Sequence, residues 1–295
     1  MKILTNRRFH WIAVSLVAIL GLTFGAYALY VGGRPAPIPV KHKYFDGITY
    51  YREVSLYPHP MVAHVLVIDT KTANINLLVT PPDETTGAPL KARTTSQFMQ
   101  EFGVQIAING DGFSPWWSRN PADYYPHVGD PVTPNGYAAS NGKSYSDGNE
   151  PTLYISRRNY LTFDYNPSQR PSRIYQAISG ERMLVLKGES VPGLDNSTRN
   201  PRTAIGTNQN GRYLILVVVD GRQPFYSDGA TFVELANLLI EHGAYVGMNM
   251  DGGGSSTMVI VGSDGKSLIL NSPIDNYIPG RERPVANHLG IFVGK

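Results

Sequence analysis

Asp251, three successive glycines (Gly252, Gly253, Gly254) and two serines (Ser255, Ser256) stand together in VGMNMDGGGSSTMV, residues 246–259. A carboxylate can act as base or nucleophile, and hydroxyls can donate to oxygen atoms of a ligand. Glycines let successive backbone N–H groups converge on an anion without interference from Cβ. The apolar run at 245–249 and the β-branched run at 257–261 predict strand, tight glycine turn, strand. A hairpin whose Asp caps its own turn is the plainer alternative. No Gly-Lys-Ser/Thr closes the loop and a strand follows it, which argues against a nucleotide P-loop.

The elements that would position this turn are mostly strands. Residues 62–69 and 75–80 alternate around a polar turn and predict a hairpin; residues 202–206 and 213–219 predict a second, turning at Gln209-Asn210-Gly211. Residues 152–163 and 176–186 read as strands, and residues 114–149, rich in Pro, Gly, Trp, Tyr and Asn, read as long loops. Only two segments in the body read as helices. One is capped by Thr94 or Thr95 and stopped by Gly103; the other begins at Thr231, which forms a capping box with Glu234. On the second, Phe232, Leu235, Ala236, Leu239 and Ile240 share one face.

The two halves repeat. Glu101, Gly103, Asn109, Asp111 and Gly112 match Glu241, Gly243, Asn249, Asp251 and Gly252 without a gap, at an offset of 140. Pseudo-repeats at about 62–145 and 202–267 follow, with Asp111 as the mate of Asp251. The expected fold class is α+β, with two pseudo-repeated units of curved, mainly antiparallel sheet around a helix, preceded by an N-terminal apolar helix.

Lys2, Arg7 and Arg8 precede an uncharged stretch from Trp11 to Gly33, the basic-then-apolar order of a signal anchor or signal peptide over residues 1–33. It is long enough to span a bilayer, while Ala26-Tyr27-Ala28 offers a cleavage site. The body is thus expected to be exported: either membrane-anchored on the extracytoplasmic side, or secreted or periplasmic if the leader is cleaved. Residues 34–49 are expected to be a Pro-rich linker and 50–295 the domain. Without residues 1–34, 22 basic residues face 23 acidic ones. This balance gives no electrostatic footprint for nucleic acid. The chain has no cysteine, so disulfides are ruled out and structural zinc is disfavoured. The repeated Asn-x-Asp-Gly lacks the further acids of an EF-hand loop, so a Ca²⁺ site would need ligands from distant segments; metal ligands are left unassigned.

In their order along the chain, AINGDGF, PRTAIG, VVVDGRQ, NMDGGGSSTMV and RPVAN resemble the phosphodiester glycosidase family, over about residues 62–293. The resemblance implies paired α+β units and hydrolysis of a sugar-1-phosphodiester at the anomeric carbon. In bacterial relatives it is tied to exopolysaccharide biosynthesis, so the expected setting is envelope or extracellular polysaccharide metabolism. Phosphate is already a good leaving group, so this chemistry needs cationic recognition of the diester and a carboxylate more than a strong acid. Asp251 is the first candidate for that carboxylate and Asp111 the second, facing one cleft from opposite sides. Arg202 and Arg283, in PRTAIG and RPVAN, are the candidates for the diester, because guanidinium forks match phosphate oxygens. Gly252, Gly253, Gly254, Ser255 and Ser256 would bind phosphate or sugar oxygens, and Asn109, Asn249 and Asn287 sugar hydroxyls. Asp220 and Arg222 are expected to brace their loop as a local pair. The alternative function is a non-catalytic glycan-binding or polysaccharide-assembly protein that keeps the cleft without turnover.

Overall fold

The computed structural model describes residues 2–72, 74–83, 87–120, 122–165, 170–171 and 174–294. Two compact units divide the chain at 36/37. The first is a single helix, Lys2–Gly33, whose part Phe9–Gly33 is long and apolar enough to cross a membrane by length and composition.

The second unit is built on antiparallel sheets. The largest runs Val40–Phe45, Ile48–Ser55, Met61–Asp69, Tyr213–Val219, Arg202–Thr207, Val246–Asn249, Arg182–Leu186 and Glu189–Ser190 in spatial order. A five-stranded sheet runs Ser267–Ile269, Met258–Val261, Ile106–Asn109, His288–Val293 and Ile75–Val79. Alternate residues of these strands go to opposite faces. Leu66, Ile205, Leu216, Ile108 and Ile291 enter one core shared by both sheets. On the outer face of the large sheet, Val65, Ala204 and Val217 pack with the helix Phe232–Glu241. On the outer face of the other, Leu78, Ala107 and Val259 pack with the helix Thr95–Phe102. The layers are helix, sheet, sheet, helix. With both faces buried, a strand such as YLILVVV is apolar throughout.

Both helices start on full capping boxes, Thr94 with Gln97 and Thr231 with Glu234, each Thr accepting from the backbone N–H three residues on. Such a cap contributes about 1 kcal/mol. Gly103 and Gly243 follow the helices with positive φ and turn the chain into a central strand.

The two sheets share one plan. Tyr213–Val219, Arg202–Thr207, Val246–Asn249, Arg182–Leu186 and Glu189–Ser190 correspond in order to Ile75–Val79, His288–Val293, Ile106–Asn109, Met258–Val261 and Ser267–Ile269, all neighbours antiparallel. Asn109 and Asn249 therefore end equivalent central strands. The expected hairpin over 62–79 is not formed, however. Met61–Asp69 pairs in the large sheet with Ile48–Ser55 and Tyr213–Val219, while Ile75–Val79 pairs in the other with His288–Val293. The C-terminal strand fills the place that the sequence offset gives to residues 62–69. Hydrophobic alternation identifies a strand but cannot choose its partner when every face is buried.

Other boundaries differ as well. Residues 40–49, expected in the linker, supply the edge strand Val40–Phe45 and the turn beyond it. Residues 152–163 hold two strands, turning near Asn159 with φ 55°. Residues 176–186 hold two strands that belong to different sheets. Within 114–149, short strands such as Trp117–Asn120 and Pro131–Pro134 break the expected loops.

Candidate functional site

The glycine stretch is a crossover between sheets, not a hairpin. Val246–Asn249 belongs to the large sheet and Met258–Val261 to the other, and a 3₁₀ turn over Gly253–Ser255 joins them. Met250 N–H still donates to Thr203 O at 2.8 Å, but Asp251 N–H already donates at 3.0 Å to Gly110 O, just past the central strand Ile106–Asn109 of the other sheet. Asp251 is thus fixed where the two central strands end side by side.

A cavity of about 400 Å³ opens there, lined by Asp251, Gly252, Gly253, Gly254, Arg202, Arg283 and, from other segments, Glu181, Asn200, Arg222, Trp116, Ser118, Asn276 and Tyr277. Each glycine is met by a different neighbour. A Cβ at Gly252 would lie 2.9 Å from Pro201 O, and one at Gly254 would lie 2.6 Å from both Arg283 Nη2 and Asp275 Oδ1. Gly253, at φ +63°, faces Arg222. The triplet is therefore demanded by close approach, of a backbone carbonyl at Gly252 and of charged side chains at Gly253 and Gly254, as well as by the backbone conformation of Gly253. Gly254→Ala should push Arg283 out of place and raise KM for an anionic substrate by about tenfold, roughly the loss of one charged hydrogen bond. An unchanged KM, measured by initial rates, would count against Arg283 as an anion ligand.

Burial pushes the Asp251 carboxyl up to about 6, and the negative charge of Glu181 adds to the rise. The Ser255 hydroxyl, Arg283 and the Gly252 N–H oppose it. Arg283 Nη1 donates to Ser255 Oγ at 3.3 Å, so serine relays the guanidinium to the carboxylate. Arg283 Nε is held by Asp275 Oδ1 at 2.7 Å, and Asp275 also pairs with Arg281 at 3.2 Å. Arg202 donates to Ala230 O and Thr198 O, each at 3.2 Å, and lies 3.9 Å above the centre of the Phe232 ring. Burial lowers its pKa. Among the described residues no carboxylate forms an ion pair with Arg202 or Arg222, so the cavity carries positive charge available to an anion.

Several sequence candidates lie elsewhere. Asp111 is buried and does not line the cavity; its Oδ2 accepts from Gly136 N–H at 2.7 Å and its own N–H donates to Asn287 Oδ1 at 2.9 Å. Burial, with Glu150 and Asp251 adding, pushes its carboxyl up to about 7. The expectation of two repeat-mate acids facing one cleft is thus corrected, because the first repeat's turn is roofed by residues 135–136 and the second's is open. Asn109 is also buried. Its Oδ1 accepts from Thr203 Oγ1 at 2.8 Å and Thr257 N–H at 3.1 Å, and its Nδ2 donates to Asp251 O at 2.7 Å. It ties the sheets together rather than reaching a sugar. Asn109→Ala should cost about 2–4 kcal/mol, since three buried partners lose their bond, with KM little changed; denaturant unfolding measures the first and initial rates the second. Asn287 and Ser256 are likewise buried outside the cavity. Asn249 is buried and grips Glu181, its Nδ2 donating to Glu181 Oε2 at 2.7 Å.

Asp220 and Arg222 do not pair. Asp220 is buried, accepting from His64 Nε2 at 3.0 Å, Ser272 N–H at 2.7 Å, Asn271 Nδ2 at 3.1 Å and Tyr226 OH at 3.2 Å. Arg222, at φ +57°, turns to Asn200 Oδ1 and the cavity. His288 stacks on Phe98 at 4.6 Å, and burial lowers its pKa to about 3, so it stays neutral. Glu181, Arg222 and Asn200 were not among the sequence candidates; no local motif marks Glu181 or Asn200. Among the described residues no group of three His, Cys, Asp or Glu side chains is placed to hold a metal ion.

Comparison with known proteins fits this arrangement. The chain is 33% identical over 97 residues to the SPbeta prophage-derived uncharacterized protein YomE of Bacillus subtilis, a match covering 33% of this chain and 13% of that protein. Its fold is similar to a hypothetical protein from Synechocystis (TM-score 0.63, 15% identity, 88% of this chain and 64% of that one). It is also similar to the catalytic domain of zebrafish N-acetylglucosamine-1-phosphodiester alpha-N-acetylglucosaminidase, solved auto-inhibited by its pro-peptide (TM-score 0.61, 20% identity, 87% and 84%). A putative exported protein from Burkholderia pseudomallei is a further neighbour (TM-score 0.55, 17% identity, 83% and 76%). Residues 102–292, which contain Asp111, Glu181, Arg202, Asp251 and Arg283, match the sequence profile described as phosphodiester glycosidase, and the chain belongs to that family.

Proposed function

We propose that this protein hydrolyses a glycosyl phosphodiester at the anomeric carbon of the sugar, in envelope or extracellular polysaccharide metabolism. The observation that carries the reading is the cavity in which two carboxylates, Asp251 and Glu181, stand with three guanidiniums beside a glycine turn. Its volume is within the range of small-molecule sites. Arg202, Arg283 and Arg222 would hold the phosphodiester, whose single negative charge they outmatch. Asp251 would supply negative charge to the anomeric carbon as it becomes oxocarbenium-like. The phosphate leaves with the bonding electrons and needs little protonation. Trp116 and Tyr277, exposed beside the cavity, offer aromatic faces to a sugar. The helix Phe9–Gly33 supports attachment to a membrane or export as a signal, and the basic Lys2, Arg7 and Arg8 ahead of it favour an extracytoplasmic domain.

The test is an assay of the purified chain on UDP-N-acetylglucosamine and simple sugar-1-phosphate diesters, with and without chelator, in ¹⁸O water. Release of sugar carrying ¹⁸O supports the reading. Label in phosphate instead would assign O–P cleavage, and binding without turnover would assign a glycan-binding protein. Loss of activity on chelation would add a divalent cation such as Ca²⁺.

A further inference from the structure

We infer that Glu181 is the base that takes the proton of the attacking water, and that Asn249 is the positioning residue that holds it at the cavity. This rests on the hydrolytic reading above. Glu181 lies in the two-residue link between the strands Gln176–Ser179 and Arg182–Leu186, where the chain passes from one sheet to another. Arg182 sits opposite Asn249 in the strand register. Asn249 binds Glu181 twice: its carbonyl accepts the Glu181 N–H at 2.9 Å, and its Nδ2 donates to Oε2 at 2.7 Å. Asn249 is itself fully buried at the end of a central strand, with Nδ2 also donating to Met250 O at 2.7 Å.

The two carboxyls of the cavity are differently placed. Asp251 receives the Ser255 hydroxyl and the Gly252 N–H, with Arg283 beyond, and these contacts favour its charged form against the effect of burial. Glu181 is exposed on the cavity wall, with Oε2 bonded to Asn249 and Oε1 accepting no hydrogen bond among the described residues. Oε1 is free to accept from water. Desolvation by the surrounding protein raises the Glu181 pKa, against the pull of the Arg182 and Arg202 charges and the Asn249 hydrogen bond, the direction that strengthens a base. In the step, the water oxygen bonds to the anomeric carbon as the bond between that carbon and the phosphate oxygen breaks. The electron pair of that bond leaves on the phosphate oxygen. One water proton stays on the new sugar hydroxyl; the other passes to Glu181 and then to solvent.

The experiment compares the full chain with Glu181→Gln, Glu181→Ala and Asn249→Ala in kcat, KM and pH profile, with added formate. Glu181→Gln should lower kcat by about 10²-fold, the lower end for a lost general base, with KM within about threefold. Formate should restore Glu181→Ala about tenfold and leave Asp251→Asn unrescued, a response that a structural role for Glu181 would not give. Asn249→Ala combined with Glu181→Gln should be no worse than Glu181→Gln alone, because both act through one carboxyl. Glu181 is exposed, so its variants should fold, as circular dichroism can verify. If Asp251→Asn abolishes turnover while Glu181→Gln keeps the parent's kcat, or formate rescues nothing, the role of Glu181 is overturned and the hydrolytic reading stands. If the parent releases no sugar from any diester, both fall together.

Discussion

Asp251→Asn should lower kcat by about 10²–10⁴, the range for loss of a catalytic carboxylate, while leaving the fold intact because the amide is nearly isosteric. The Gly110 contact is made by the backbone and does not involve the carboxylate, and the amide oxygen of Asn can still accept from Ser255 and the Gly252 N–H. The parent's kcat/KM should fall on the acid side of about pH 6, where Asp251 takes up a proton, and that limb should vanish in the variant. Stability should move the other way. The folded pKa lies above the unfolded value, so the contribution is fully present when the carboxyl is protonated and is lost as pH rises toward 6. Asp251→Asn should therefore raise Tm at neutral pH. Asp111, buried with its carboxyl pushed up to about 7, is the control: Asp111→Asn should also raise Tm at neutral pH but leave kcat within a few-fold of the parent. If Asp111→Asn abolishes turnover while Asp251→Asn retains it, the catalytic assignment belongs to the first repeat.

Removing Arg202 and Arg283 together should lower kcat/KM on diesters by about 10³-fold or more, since each charged hydrogen bond contributes about 1.5–3 kcal/mol. Most of the loss should appear in KM if the contacts are made equally in ground and transition states. The singles should differ. Arg283→Ala leaves Asp275 still paired with Arg281, so its folding cost is small. Arg202→Ala removes partners of Ala230 O and Thr198 O and the stack on Phe232, so its stability should drop as well. Lysine at either position should rescue poorly, for want of the two-pronged fork and the flat face. Wild-type kcat/KM in the double variant, measured on a folded protein, would remove the diester from this cavity.

Residue chemistry and short-range pattern carried much of this outcome. The cap at the start of the first helix, the capping box at Thr231, the central strands before Asn109 and Asn249, and the α+β class all rest on local propensity and hydrophobic period, which one stretch of chain expresses by itself. The Asp-Gly-Gly-Gly-Ser turn stood out because its composition is costly to a fold unless something approaches it closely. Tertiary structure decided the rest. Whether Ile75–Val79 pairs with residues 62–69 or with the C-terminal strand depends on contacts more than 200 residues away in sequence, and a strand buried on both faces does not encode its neighbour. The repeat made Asp111 and Asp251 look alike, yet Asp111 is covered by the turn at Gly136 and Asp251 opens to the cavity. Asn109 and Asn249, identical by motif, became a tie between sheets and a grip on Glu181. Glu181 and Arg222 gained their place only when chain crossovers brought six separate segments to one point, because a site assembled across sheets has no spacing along the chain from which it can be read.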